Sequence, residues 1–118
     1  MRDHTKLHVW QRAHAFTGVL YRTVKDPACA FPGLLPQLYR SAASIASNIA
    51  EGAGQMSRAQ YGRFLGIAIG SCSETHNHLT LAHEIGMISA EDYKRLEAEV
   101  RAIRAMLYAL RKRVLAGA

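Results

Sequence analysis

From Val100 to Ala118 the chain carries Arg101, Arg104, Arg111, Lys112 and Arg113 and no carboxylate side chain. On a helix, the steps of three and seven between Arg101, Arg104 and Arg111 bring their guanidinium groups to one outward face. Such a row, with Lys112 and Arg113 beside it, can follow a phosphate backbone. The same cations at a helix C-terminus complement the negative end of its dipole, so they read equally as a solvated, stabilising face. A formal charge of +6, from fifteen Lys and Arg against nine Asp and Glu, favours an anionic partner such as nucleic acid and also serves solubility.

A second constellation is the polar line Gln37, Ser41, Ser44, Asn48 and Glu51, spaced at three and four residues. A catalytic reading makes Glu51 a general base with Asn48 as hydrogen-bond donor, but one carboxylate and one amide lack a nucleophile, a metal or a phosphate loop. In the structural reading, small polar residues let another helix come close and pair their buried groups, fixing register between helices or subunits. Gly62, Gly66 and Gly70 form a GxxxGxxxG ridge, each glycine weakening helix propensity by about 1 kcal/mol relative to Ala. Close backbone packing is expected to offset that loss, with the Ala42, Ala46 and Ala50 ridge as the expected partner.

His4 and His8 lie four apart, and His76, His78 and His83 lie close in sequence. A metal site needs three or four converging ligands, and two histidines two apart on a helix point in different directions. No metal and no cofactor is expected. Cys29 and Cys72 match no ligand spacing and are too few for a disulfide framework, so both read as free thiols.

Four elements must position these residues. Val9, Ala13, Phe16, Leu20 and Val24 form one stripe of a first helix from Thr5 to about Val24, its face widened by Leu7, Trp10 and Tyr21. Pro27, Pro32, Gly33 and Pro36 punctuate the chain after it. A second helix runs from Leu34 or Pro36 to Ala53 on the stripe Leu34, Leu38, Ala42, Ile45 and Ile49, with Gly52 and Gly54 expected to end it. Ser57 to Gln60 has the form of a capping box and opens a third helix, with Gly86 as its left-handed stop. Ser89, followed by Glu91 and Asp92, caps a fourth helix whose stripe is Tyr93, Leu96, Val100, Ile103, Leu107, Leu110 and Val114. The economical way to hide four stripes joined by short connections is one all-α domain over residues 1–118, an antiparallel up-down-up-down four-helix bundle.

The segments Ser44-Ile45-Ala46-Ser47-Asn48-Ile49-Ala50-Glu51-Gly52 and Arg63-Phe64-Leu65-Gly66-Ile67-Ala68-Ile69-Gly70-Ser71, with Glu74, resemble the bacterial four-helix-bundle family whose founding members are encoded in intervening sequences of the large-subunit ribosomal RNA gene. The likeness extends over nearly the whole chain, including Leu7, Trp10 and Tyr21. It implies a homo-pentameric ring and a link to RNA. It also reaches the accessory proteins of diversity-generating retroelements, which are basic pentamers working beside a reverse transcriptase. Asn48, Glu51, Gly62, Gly66, Gly70, Ser71 and Glu74 are the structural or interface positions expected on this basis. The chain departs from the family pattern at Cys29-Ala30, where an acidic residue is usual, and at Tyr39, where a second basic residue stands beside Arg40.

The expected function is therefore a non-enzymatic, homo-oligomeric binding protein that associates with RNA or a nucleoprotein partner through a basic face. The alternative is a protein-interaction scaffold with no nucleic-acid role. No stretch is apolar enough to span a membrane and no apolar leader precedes the first helix, so a cytoplasmic location is expected, with no membrane partner and no small-molecule substrate.

Overall fold

The computed structural model describes residues 2–25 and 32–117. Those residues form a 3-10 turn at His4–Lys6 and four helices, α1 His8–Thr23, α2 Leu34–Ala53, α3 Arg58–Glu84 and α4 Ala90–Leu115, with no strand among them. The expected departures at Pro27 and Cys29-Ala30 lie outside the described residues.

The apolar spacing accounts for the packing. Val9, Ala13, Phe16, Leu20 and Val24 are all buried, and so are Leu34, Leu38, Ala42, Ile45 and Ile49 on α2. On α3, Tyr61, Leu65, Ala68, Cys72, Thr75, Leu79 and Ala82 close the same core. Leu96, Val100, Ile103, Leu107 and Val114 complete it from α4. Each of α1 and α3 packs on both α2 and α4, while α1 and α3 sit on one diagonal and α2 and α4 on the other. The result is a rod of 47 × 21 × 20 Å.

Local chemistry sets the ends. Ser57 Oγ accepts from Gln60 N–H at 3.1 Å and Ser89 Oγ from Asp92 N–H at 3.1 Å, each satisfying a donor that an open helix start leaves free. Gly86 takes φ +84°, a conformation an L side chain resists, and so turns the chain from α3 toward α4.

Three expectations change. The first helix begins at His8, because Asp3 accepts from Thr5 N–H at 3.0 Å and from Thr5 Oγ at 2.6 Å, closing a tight turn that leaves Leu7 extended. Tyr21 does not widen the buried face; it is 61% exposed, and its ring lies 5.2 Å from that of Tyr39. Gly52 does not stop α2 but stays helical and buried inside its last turn, with Gly54 as the cap. A Cβ on Gly52 would stand 3.0 Å from Phe64 Cβ and 3.2 Å from the Tyr61 carbonyl, so this glycine lets α3 approach closely.

Candidate nucleic-acid interface

The helical period of α4 turns its stripe inward and leaves the basic residues on its flanks, where packing on α3 sorts them. Arg101 is exposed, with Nη1 3.7 Å from Glu97 Oε2. Arg104 Nη1 donates to Ser73 Oγ at 3.2 Å. Arg111 is half-buried and donates from Nε to the Gly62 carbonyl at 2.8 Å. Lys112 and Arg113 are exposed. The spacing of three and seven therefore does not deliver three free guanidinium groups, since Arg104 and Arg111 lean across onto α3.

The glycine ridge follows from the same contact. A Cβ on Gly62 would meet Leu115 Cδ2 at 2.6 Å, and one on Gly66 would meet Arg111 Nε at 3.4 Å. The ridge thus seats the close of α4 rather than the alanines of α2, which corrects the expected pairing. Ala46 and Ala50 instead line a groove with Trp10 and His14 of α1. Gly70 faces open space, with nothing within 4 Å of where its Cβ would stand.

The polar line does join helices. Ser44 Oγ and Ser71 Oγ are 2.9 Å apart, and Thr75 Oγ1 donates to Ser41 Oγ at 2.9 Å, two bridges from α2 to α3 in a mostly apolar interior. Asn48 Nδ2 donates to the Ser44 carbonyl at 2.8 Å and to Ser44 Oγ at 2.9 Å. Glu51 is exposed, and Glu74 is also exposed, 3.4 Å from His78 Nε2. Ser71 is one of the expected interface positions, whereas Thr75 is not; its helical step of four from Ser71, opposite Ser41, is the signal that finds it.

The histidines separate. His76 Nε2 lies 3.1 Å from Glu97 on α4, His78 faces Glu74 on its own helix, and the His83 ring stacks on Tyr93 at 4.5 Å. Among the described residues no three potential metal ligands converge. At the other end, His14 stacks on Trp10 at 4.7 Å and His4 meets it edge-on at 4.9 Å.

Burial raises one thiol and two phenols. The Cys72 thiol is pushed up to about 12 by desolvation, with Arg104 pulling slightly the other way. Burial also raises Tyr61, against the pull of Arg2 and Arg113, and its hydroxyl has no hydrogen-bond partner among the described residues. Tyr39 is raised by burial and donates its hydroxyl to the Val24 carbonyl.

Against this geometry, the family model described as the 23S rRNA-intervening sequence protein matches residues 5–109. The chain belongs to that family. A crystal structure of a protein with unknown function from the S23 ribosomal protein family, from Bacteroides thetaiotaomicron VPI-5482, superposes with a TM-score of 0.80 at 27% identity. The alignment covers 88% of this chain and 98% of that one. No curated protein matches the chain. Arg111, Lys112 and Arg113 lie beyond the span matched to the 23S rRNA-intervening sequence family, so their role rests on this chain's own geometry. No helix among the described residues is long and apolar enough to cross a membrane.

Proposed function

We propose that this chain is a non-catalytic, homo-oligomeric protein that binds RNA, or a nucleoprotein containing it, through an exposed basic surface. The observation that carries the reading is the exposed basic close of α4, where Lys112 and Arg113 form no ion pair among the described residues and the stretch from Val100 on has no carboxylate side chain. Membership of a family described by its link to 23S rRNA supports the same ligand class. Asn48 is committed to Ser44, which removes the donor that a general-base role for Glu51 would use.

Partner positions rise along one helix and fall along the next, as in Ser41 with Thr75 and Ser44 with Ser71, or Gly62 with Arg111 and Ser73 with Arg104. These pairs support an antiparallel, up-down-up-down arrangement. Self-association is supported by the exposed Tyr108 and Leu115, which border a shallow apolar groove on the outer side of α4, and by the open face at Gly70. The pentameric ring is what the family resemblance adds, and in a ring a basic patch repeats and gains avidity.

The scaffold alternative draws on Arg104 and Arg111, whose hydrogen bonds tie α4 to α3. A salt titration of binding to a structured RNA separates the two. Phosphate-driven binding weakens steeply between about 50 and 200 mM salt, whereas a scaffold shows no such RNA binding. Light scattering in the same buffers is expected to give a multiple of 13.0 kDa, and a monomer would remove the oligomer from the reading.

A further inference from the structure

We infer that the phosphate-binding surface is the end of the rod where the 3-10 turn, the start of α3 and the close of α4 meet, and that it takes the backbone of a structured RNA. This rests on the RNA reading above and extends its site from the close of α4 across the end of the bundle.

The contacts gather residues far apart in sequence. Arg2 N–H donates to the Ala53 carbonyl at 2.9 Å, fixing the N-terminal segment to the close of α2. Lys6 and His8 line one groove with Arg113. Arg111 reaches Gly62, and the backbone at Gly117 passes Arg58. Arg2, Lys6, Arg58, Arg63, Lys112 and Arg113 therefore share this end, and all six are exposed. None of them forms an ion pair among the described residues. The carboxylates nearby are Asp3, already accepting two hydrogen bonds from Thr5, and the exposed Glu51.

Helix dipoles explain only part of this. Lys112 and Arg113 sit in the last turn of α4, where cations are favourable. Arg58 opens the first turn of α3 and Lys6 immediately precedes the Leu7 cap of α1, where the dipole is positive and acids are favoured, yet neither first turn contains an acid. At the opposite end the rule is obeyed, with Glu91 and Asp92 in the first turn of α4. Cations added to two positive helix ends work against folding and make an anion site, because the open N–H groups and the side chains attract the same ligand.

The arrangement is also partly pre-ordered. The Arg2 guanidinium lies 4.9 Å from the Tyr61 ring centroid and that of Arg63 lies 5.2 Å from Phe64, which lowers the entropy lost when they engage phosphate. The end spans about the full 21 × 20 Å cross-section of the rod, room for several phosphates.

The test uses the full chain, one structured RNA hairpin and two variants whose folding and assembly are checked by melting and light scattering. The end variant is Arg2→Gln/Lys6→Gln/Arg58→Gln/Arg63→Gln, and the flank variant is Arg101→Gln/Arg104→Gln. In the end variant the log-log salt slope is expected to become shallower by about three and affinity near 100 mM salt to fall on the order of a hundredfold. The flank variant should stay within about threefold of wild type, with the slope kept within about one unit. Should the end variant misfold, Lys6→Gln/Arg63→Gln is expected to give about half the slope change. Salt-sensitive binding by wild type with an unchanged slope in the folded end variants overturns the end site and leaves the RNA reading intact. Absence of salt-dependent RNA binding by wild type overturns both. Binding to phosphatidylserine vesicles that depends on the same end, without RNA binding, overturns the inference in favour of a membrane surface.

Discussion

Arg111 and Gly62 are 49 positions apart, and the guanidinium Nε of one donates to the carbonyl of the other at 2.8 Å. The guanidinium passes 3.4 Å from where a Cβ on Gly66 would stand, while the space above Gly62 is taken by the Leu115 side chain. Arg111 is thus a clamp between α3 and α4 before it is anything else. Arg111→Lys keeps the charge and loses the planar donor. It is expected to lower stability by about 1 kcal/mol in a urea melt while leaving the salt slope of RNA binding unchanged. A stability equal to wild type would show that the bond is no clamp, and a shallower slope in Arg111→Gln, which removes the charge, would return Arg111 to the phosphate-binding set.

How far the sequence was legible differs between fold and site. The four stripes were readable because burial imposes a helical period, and every member of the α2 stripe from Leu34 to Ile49 is buried. Gly52 was misread because a glycine that permits close approach and a glycine that ends a helix look alike until the neighbouring helix is placed. The glycine ridge was assigned to α2 for the same reason, as a small-residue stripe carries no record of which helix it faces. The basic end was missed because its members come from three elements. In a bundle of alternating helices, the starts of α1 and α3 and the closes of α2 and α4 fall at one end, and that parity alone would have brought Lys6, Arg58 and Arg113 together.

The core register of α4 has a direct check at Leu107, which is fully buried beside Ile103. Leu107→Ala removes apolar contacts and leaves a cavity that a four-helix core collapses around only in part, for an expected loss of about 2 to 5 kcal/mol. The exposed Lys94→Ala should melt within about 0.5 kcal/mol of wild type. Two indistinguishable melts would mean that Leu107 faces outward.

Gly52 and Gly70 should respond in opposite directions to the same added methyl group. At Gly70 the methyl meets nothing within 4 Å, so Gly70→Ala gains helix propensity, about 0.8 to 1 kcal/mol. At Gly52 it presses on Phe64 Cβ and the Tyr61 carbonyl, neither of which is the free end of a flexible chain. Gly52→Ala is expected to lose about 0 to 2 kcal/mol, from overpacking of about 1 to 3 kcal/mol set against a propensity gain of about 1 kcal/mol. Thermal melts of the two variants decide it, and a stabilised Gly52→Ala would show that α2 and α3 can separate without loss.

The Cys72 thiol ties stability to alkaline pH. Its ordinary value of 9.0 is raised to about 12 in the folded chain because a thiolate there would be desolvated. The folded state therefore holds its proton more tightly than the unfolded state. The associated stability is fully present below pH 9 and is lost as pH rises from about 9 toward 12. In a Cys29→Ser background, Cys72 should stay unreactive toward a disulfide reagent at about pH 8 until the chain is unfolded in urea. Rapid labelling of the folded protein would place the thiol at the surface.

The Ser41 and Thr75 pair lets the register between α2 and α3 be weighed directly. Thr75 Oγ1 lies 2.9 Å from Ser41 Oγ and 2.8 Å from the Ser71 carbonyl, and Ser41 Oγ in turn donates to the Leu38 carbonyl at 3.1 Å. Both side chains are buried, so water cannot replace a lost partner. Thr75→Val preserves shape but takes away the hydroxyl, leaving Ser41 short of its donor, and is expected to lose about 1 to 3 kcal/mol. Ser41→Ala leaves Thr75 with the Ser71 carbonyl, as Thr75→Val leaves Ser41 with the Leu38 carbonyl, so the two single variants should lose comparable amounts. In the double variant neither hydroxyl is stranded, so its loss should be smaller than the sum of the singles by about 0.5 to 1.5 kcal/mol. Urea melts of the four proteins measure that coupling. Strict additivity would mean that the bridge carries no register information and that the apolar stripes alone align α2 with α3.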